Sequence, residues 1–176
     1  FRSGFINLVA VETSGIDWRA EYAFDLADLF GSAPGEIRMS SLGTRFLEND
    51  ETRDVSAPDE VTDVLGELSR PEWIANFNVD WNVGDFRIGW NGRFESRQRP
   101  SGVTNNDIAN DPDFVNIRWT GSSLVHDFTA SYFLNDRFEI YGGINNAFEE
   151  EPFIGALSRP VGPRGRFFFA GLNVTL

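Results

Sequence analysis

The stretch Gly162-Pro-Arg-Gly-Arg-Phe-Phe-Phe-Ala-Gly-Leu-Asn-Val-Thr-Leu176 decides the fold that the sequence predicts. From Leu176 back to Phe168 every second residue is apolar, whereas the residues between them, with Phe167, are polar, glycine or aromatic. This alternation places the two sets on opposite faces of a β-strand. An apolar face that runs to the last residue is typical of the closing strand of a membrane-spanning β-barrel, because that strand faces lipid. The terminal-strand signal is carried by Phe168, Leu172, Val174 and Leu176.

The composition of the chain agrees with strands. Among 176 residues there are 17 Phe, 5 Trp and 3 Tyr, yet the mean hydropathy is slightly negative, so aromatic and polar residues are interleaved. No segment approaches the ~20 apolar residues that a membrane helix needs. The net charge of −12 argues against nucleic-acid binding. Because cysteine is absent, the chain has no disulfides, no thiolate metal site and no cysteine nucleophile.

Clear alternation recurs in six further segments. They are Glu12–Asp25, Glu36–Leu47, Trp73–Val83, Phe86–Glu95, Leu124–Leu134 and Arg137–Ala147. With the terminal strand they predict an all-β fold, an antiparallel up-and-down meander of about seven long amphipathic strands. In the second segment the apolar parity changes between Met39 and Leu42, which predicts a β-bulge near Ser40–Ser41.

The connections between these strands alternate in length. Those after the first, third and fifth strands are the shorter ones, whereas Asn49–Pro71, Ser96–Gly121 and Phe148–Pro163 are long. Alternate connections of a meander lie at opposite ends, so one end carries turns and the other large loops, as in bacterial outer-membrane barrels. Strands of about 10–12 residues, tilted by ~45°, cross the ~25 Å apolar band of such a barrel.

The first long loop is acidic and carries two further signals. Pro58 and two acids precede apolar residues at helical spacing, which predicts a short helix over Pro58–Leu68. The acid-rich segment Glu48–Glu67 and the run Asn105–Asp113 in the next loop offer oxygen ligands for Ca²⁺. Neither segment has EF-hand spacing, so we expect solvated loops and predict no metal site.

Two sets of side chains are candidates for the two surfaces of the barrel. The lumen-facing candidates are Asp17, Arg19, Glu21, Asn76, Asn78, Asp80, Arg87, Asn91, Arg93 and Glu95. The lipid-facing or girdle candidates are Trp18, Tyr22, Trp73, Phe77, Trp81, Phe86, Trp90, Phe94, Tyr132 and Phe138. The polar set is also consistent with cross-strand pairs that hold the wall together, and the aromatic set with a sugar-binding platform or a soluble sandwich core. Trp73 and Trp81, at opposite ends of one strand, favour interfacial girdles.

His126 is the only histidine and the only candidate for a catalytic base of that type. Asp127 beside it in a strand points to the opposite face, so the two cannot form a catalytic pair. Ser122, Ser123 or Ser131 with His126 leaves an outer-membrane barrel enzyme as a remote alternative. We expect a histidine near the membrane rim, and predict no catalytic residue, no enzyme activity and no cofactor.

Five short pieces carry a resemblance to a known family. They are Thr13-Ser-Gly-Ile-Asp-Trp18, Pro71-Glu-Trp73, His126-Asp-Phe-Thr-Ala-Ser-Tyr132, Ile144-Asn-Asn-Ala-Phe148 with Pro152, and Gly162-Pro-Arg-Gly-Arg166. In this order they resemble the C-terminal end of a TonB-dependent outer-membrane receptor. The resemblance implies a barrel of about 22 strands in the bacterial outer membrane, filled by a plug, that imports scarce nutrients with energy from TonB. It also implies these partners: outer-membrane lipid, the plug, TonB, the barrel-assembly machinery and a ligand such as an iron chelate, a cobalamin or an oligosaccharide.

Two departures from the family pattern shape the expectation. The family usually ends in an aromatic residue, whereas this chain ends in Leu176. We expect residues 1–176 to be the C-terminal portion of the barrel, with the plug, the TonB-contacting segment and the earlier strands absent, since seven strands leave two open edges. The alternatives are a small complete outer-membrane channel barrel and a soluble β-sandwich binding module.

Overall fold

The computed structural model describes residues 10–54, 56–103, 119–153, 160–162 and 164–175. The strands are β1 (Ala10–Asp25), β2 (Glu36–Thr52), β3 (Val61–Asp63), β4 (Trp73–Val83), β5 (Phe86–Glu95), β6 (Ser123–Asn135), β7 (Phe138–Asn145) and β8 (Phe167–Val174), with one short helix, α1 (Leu26–Phe30). They form a single antiparallel sheet in the order β1-β2-β4-β5-β6-β7-β8, and β3 pairs separately with β2. The predicted all-β meander of long strands is therefore confirmed.

The register carries the alternation of each strand across the whole sheet, because directly opposed residues lie on the same face. Along one row, Tyr22 opposes Met39, Met39 opposes Val79, Val79 opposes Trp90, and Trp90 opposes Phe128. We call the face that contains this row the apolar face. The other face is called the polar face; its middle row consists of Glu21, Ser40, Asn78, Asn91 and Asp127.

The predicted bulge near Ser40–Ser41 is wrong, because β2 pairs without interruption through both residues. The register instead shifts between Ser14 and Gly15, which oppose Glu48 and Phe46, so Leu47 is the extra residue. The parity change that suggested the bulge reflects two apolar residues that lie on the polar face, Leu42 and Phe46; Leu42 is 54% exposed.

The helix predicted over Pro58–Leu68 is also wrong. Val61–Asp63 forms β3 and pairs with Asp50–Thr52 at the end of β2, and the Val64 amide then donates to the Asn49 carbonyl at 2.9 Å. A short helix must nucleate alone at a free-energy cost, whereas β-branched residues next to an open strand edge gain cross-strand hydrogen bonds at once. The helix that does form, α1, lies in the connection between β1 and β2.

The two ends of the sheet differ as predicted. At the turn end, β4–β5 and β6–β7 are joined by two-residue turns, Gly84-Asp85 and Asp136-Arg137, and β1–β2 by the segment that holds α1. At the loop end lie three long connections, residues 53–72, 96–122 and 146–166, which we call the first, second and third long connections. Within the described residues, no helix has the length and apolar character needed to cross a membrane.

Burial is concentrated at the loop end. The buried apolar side chains are Val64, Ala75, Val125, Phe153 and Val161, and each lies in a long connection or within three residues of a strand end that adjoins one. The large side chains of the apolar face, by contrast, remain substantially exposed; Tyr22, Phe86 and Phe168 are examples. The sheet therefore has no apolar core beneath either face among the described residues, and its only dense packing lies among the loops.

Candidate functional site

The polar face of β2, β4 and β5 is cross-linked by a row of amides. The Asn91 side chain donates from Nδ2 to Oδ1 of Asn78 at 2.7 Å, and Nδ2 of Asn78 donates to the Ser40 hydroxyl at 3.2 Å. One edge of this row is continued by Asp127, whose carboxylate accepts the backbone amide of Asn146 at 2.7 Å. The row therefore ties neighbouring strands together and still presents amide and hydroxyl groups to whatever occupies this side of the sheet.

Charged residues of the polar face pair mostly within one strand. Arg19 binds Glu21 two residues further along β1, and Arg38 binds Glu36 at 2.6 Å in β2. Between strands, Nη2 of Arg93 lies 3.4 Å from the Asp127 carboxylate. Apart from the Asp127 carboxylate, which is 18% exposed, these side chains keep a third or more of their surface exposed, so each pair contributes little to stability while keeping the polar face charged.

On β7 and β8 the polar face changes character to aromatic rings over glycine. A Cβ atom on Gly143 would lie 2.6 Å from the Phe169 ring, and one on Gly171 would lie 2.5 Å from the Tyr141 ring. Gly143 directly opposes Phe169, and Tyr141 directly opposes Gly171. Each ring thus covers the backbone of the neighbouring strand, which requires glycine at that position.

Three indole N–H groups on the apolar face have acceptors. Trp18 donates to the Ser41 hydroxyl at 3.1 Å, Trp81 to the Pro34 carbonyl at 3.3 Å, and Trp90 to Nδ1 of His126 at 3.0 Å. An unpaired N–H in hydrocarbon costs several kcal/mol, so such pairing suits a face that meets an apolar phase.

Near the loop end, the apolar face holds a compact aromatic group. The rings of Trp18 and Trp73 are 5.9 Å apart, and the guanidinium of Arg45 lies 5.0 Å from the centre of the Trp73 ring. His126 packs edge-on against Phe148 at 4.8 Å. Rings that combine apolar bodies with polar or charged partners are typical of the boundary between hydrocarbon and water.

His126 is not close to a candidate nucleophile in the described structure. It lies on the apolar face opposite Gly92, whereas Ser123 and Ser131 lie on the polar face opposite Glu95 and Arg87. Among the described residues, no three or more His, Asp or Glu side chains are grouped so as to hold a metal ion. The Ca²⁺ candidate Asn105–Asp113 falls outside the described residues.

The most densely bonded site is a set of charged residues at the loop end, which we call the loop cluster: Glu51, Glu67, Arg70, Gln98 and Arg99. Arg99 is 0% exposed and Glu67 is 1% exposed, and Nη1 of Arg99 lies 3.1 Å from Oε1 of Glu67. Arg99 also donates to the carbonyls of Asp63 at 3.1 Å, of Leu65 at 2.9 Å, and of Val103. A guanidinium that satisfies a carboxylate and three carbonyls joins segments that are far apart in sequence.

Two further side chains complete the loop cluster. The carboxylate of Glu51 binds both Arg70 and Arg53, the latter at 2.8 Å. The amide of Gln98, which is fully buried, accepts the Ser69 N–H at 2.6 Å and donates to Glu95 at 3.2 Å. The cluster therefore links the end of β2, the first long connection and the start of the second.

On the other side of the β2 end, several carboxylates lie close together. Asp50 lies directly opposite both Glu12 and Asp63. Partial desolvation, and then the nearby carboxylates of Asp63, Glu48 and Glu12, raise the pKa of the Asp50 carboxyl above its usual value. Asp50 lies beyond Arg45, which forms the last β2–β4 pair with Trp73. It is therefore outside the part of the sheet in which β2 pairs with β4.

A family model decides what kind of chain this is. The model described as "TonB dependent receptor-like, beta-barrel" matches residues 3–147. The chain belongs to the TonB-dependent receptor β-barrel family. The resemblance seen in the sequence is therefore confirmed. No curated protein matches the chain significantly.

Solved structures show the same receptor fold. Two crystal structures of mutants of the ferric enterobactin receptor from Pseudomonas aeruginosa align with TM-scores of 0.52 and 0.54, the second in complex with enterobactin. They are 14% and 16% identical to this chain and align over 81% and 89% of it. The chain spans 22% of the length of each receptor. At this identity the likeness shows the TonB-dependent receptor barrel fold and not a shared ligand.

The register of this receptor-family sheet brings together each set of predicted surface residues. All ten lumen-facing candidates lie on the polar face, and all ten lipid-facing or girdle candidates lie on the apolar face. Phe168, Leu172 and Val174 also lie on the apolar face, whereas Leu176 falls outside the described residues.

The sequence did not predict the loop cluster. Glu51, Glu67 and Arg99 are far apart along the chain, and the composition of the loops that hold or adjoin them indicates solvated segments. The one available signal was that Arg70 and Arg99 each precede a proline in otherwise acidic or polar loops.

Proposed function

We propose that this chain is the C-terminal portion of the transmembrane barrel of an outer-membrane receptor, which in the intact protein takes up a scarce ligand with energy from TonB. One observation carries the proposal: a single two-faced register runs through seven strands, with shifts at Ser14/Gly15 and Phe133/Asn135, and with turns at one end and long connections at the other. A soluble sandwich would need a second sheet over the apolar face. A sheet that leaves Tyr22, Phe86 and Phe168 exposed fits a lipid-facing wall better.

In this proposal the apolar face meets outer-membrane lipid and the polar face lines the lumen. Support for the first assignment comes from the satisfied indole N–H groups of Trp18, Trp81 and Trp90. Support for the second comes from the amide row and the exposed ion pairs, which suit contact with water, the plug domain or a passing ligand. The turn end would then face the periplasm and the three long connections the exterior.

The ligand is proposed only as a class. Receptors of this architecture would capture an iron chelate, a cobalamin or an oligosaccharide through the outer connections, and partners in the intact protein would include the plug, TonB and the barrel-assembly machinery. The same reasoning makes the chain a transport component without enzymatic chemistry. A relative that binds enterobactin does not transfer that ligand here, because the aligned identity is only 16%.

Nitroxide labels on two neighbouring residues test which face meets lipid. Ala130 lies on the apolar face and Ser131 on the polar face, and both are small. Labels at Ala130→Cys and Ser131→Cys in the intact receptor, reconstituted in lipid, should differ: the first should collide preferentially with oxygen, the second with a water-soluble nickel chelate. Equal access of the nickel chelate to both positions would argue against a lipid-facing sheet.

Uptake experiments separate the proposal from its rivals. Growth on a panel of iron chelates, cobalamin and oligosaccharides should require both the intact receptor and TonB for at least one compound. Uptake that needs the protein but not TonB would favour a simple channel barrel. A monodisperse, detergent-free preparation of residues 1–176 would favour a soluble binding module.

A further inference from the structure

The first and second long connections are held together at their bases by reciprocal backbone bonds. The Leu68 amide donates to the Arg99 carbonyl at 2.8 Å, and the Arg99 amide donates to the Gly66 carbonyl at 2.7 Å. Glu67 and Arg99 accordingly form an isolated parallel bridge. The Gly102 amide adds a bond to Oε1 of Glu67 at 3.0 Å. Each connection therefore uses the other as its hydrogen-bond partner.

The side chains make this junction costly to open. Arg99 and Glu67 are essentially without solvent access, and Arg99 donates to Asp63 and Leu65 of the first connection as well as to Val103 of its own. Separating the connections by a few ångströms would leave a guanidinium and a carboxylate buried and unpaired before water could reach them. Breaking one partner of such a pair is strongly destabilising.

The junction is also anchored to the sheet. Glu51 at the end of β2 holds Arg70, Arg70 in turn lies 3.5 Å from Glu67, and Gln98 bonds to Glu95 at the end of β5. The chain of contacts runs from β2 through both connections to β5 without leaving the loop cluster. Rigid elements with a buried network between them have few soft degrees of freedom.

We infer that the loop cluster is a latch that joins the bases of the first and second long connections into one rigid body. The described bases of the two connections then form a preorganised wall at the loop end, and any displacement of one base carries the other with it. Only the description of this wall as part of a ligand entrance rests on the proposed function. The coupling itself does not rest on that function. A preorganised wall reduces the ordering cost of ligand capture.

Amide hydrogen exchange of the intact receptor in lipid nanodiscs tests the coupling. Glu67→Gln changes only the first connection, and should accelerate exchange of the Arg99 and Gly102 amides of the second by about tenfold or more. Arg99→Lys changes only the second, and should accelerate exchange of the Leu68 and Ser69 amides of the first on the order of 100-fold, since lysine cannot reproduce the forked contacts.

Matched controls keep the result interpretable. Glu60→Gln and Arg97→Lys make the same chemical changes at exposed positions of the same two connections and should leave all four amides unchanged. Exchange confined to the mutated connection would overturn the inference. Faster exchange of the Asn78 and Asn91 amides in Arg99→Lys would mean that this variant destabilises the whole sheet. The test then rests on Glu67→Gln: faster exchange of the Arg99 and Gly102 amides supports the latch, and unchanged exchange refutes it. Neither outcome depends on whether the receptor transports anything.

Discussion

Arginine–carboxylate pairs occur in this chain in two contrasting settings. On the polar face, Arg19 and Glu21 keep 73% and 58% of their side-chain surface exposed, and their strand would be equally extended without them. In the loop cluster, Arg99 and Glu67 keep 0% and 1%, and their bonds hold together segments more than 30 residues apart. The groups are chemically the same, but water competes for one pair and not for the other.

This contrast separates two uses of charge in one molecule. Exposed pairs keep a wall hydrated, and can be exchanged for other polar residues with little effect on folding. A buried pair constrains geometry, because water cannot replace a partner that moves away. Four changes, from the largest expected effect to the smallest, test how far the contrast holds.

The largest effect is expected from Glu51→Ala in the loop cluster. Glu51 is 3% exposed and binds both Arg53 and Arg70, so its loss leaves Arg53 without this carboxylate and Arg70 with only the longer contact to Glu67. We expect local stability to fall by ~3 kcal/mol, measured as faster exchange of the Gly66 and Arg70 amides. Glu21→Ala is the matched control on the polar face, and the contrast fails if both variants behave alike.

An intermediate effect is expected from Asn91→Ala. Asn91 is half-buried and donates to Asn78, so its truncation removes one bond and leaves the Asn78 oxygen open to water on the polar face. We expect a loss of about 1 kcal/mol in unfolding free energy, measured by urea unfolding in lipid vesicles. A loss as large as that of Glu51→Ala would mean that the amide row, and not the loop cluster, dominates.

A smaller, pH-dependent effect is expected at Asp50. Its pKa is raised in the folded chain, so folding disfavours the charged form. The β2–β3 pairing should therefore be weakest at neutral pH and gain stability as the pH falls through the raised pKa of Asp50. Asp50→Asn should strengthen the pairing at neutral pH and flatten this dependence. Exchange of the Val64 amide, corrected for its intrinsic pH dependence, reports the change, and an unaltered pH profile would contradict it.

The smallest effect is expected from Arg19→Ala. The pair with Glu21 is exposed and within one strand, so its removal should leave unfolding unchanged at high and low salt alike. Urea unfolding at two ionic strengths checks this. A loss of the same size at both ionic strengths would show that the polar face is less accessible to water than its exposure indicates.

Sequence alone predicted the features that depend on period and parity. The alternation of Trp73–Val83 and Phe86–Glu95 gave the hairpin, its turn and the face of every residue, because a strand has a side-chain period of two that tertiary packing rarely alters. The polar and aromatic candidate sets lie on opposite faces for the same reason, and their assignment to lumen and lipid stays a prediction. The family was predicted from five short motifs. Each motif alone is weak, and their order along the chain makes the set specific.

Features that depend on a partner distant in sequence were not predictable. The apolar residues around Val61–Asp63 have helical spacing, but this segment forms a strand because the end of β2 at Asp50–Thr52 offers it cross-strand hydrogen bonds. The bulge lies at Leu47 because Gly15 allows close approach; a Cβ there would be 2.8 Å from the Arg45 carbonyl oxygen. The residues around Glu67 contain no sequence pattern that predicts its contact with Arg99, which lies 32 residues further along the chain.

The facing rings and glycines of β7 and β8 have a consequence for how the last hairpin is aligned. Tyr141 opposes Gly171 and Gly143 opposes Phe169, so bulk meets hollow at two successive positions of the polar face. A slip of two residues in one direction sets Tyr141 against Phe169, and in the other leaves the two glycines facing each other. A β7–β8 register that is shifted by two residues therefore either forces two rings together or leaves an unfilled space between two glycines. The ring–glycine pairs favour the native register of these two strands without help from any other strand.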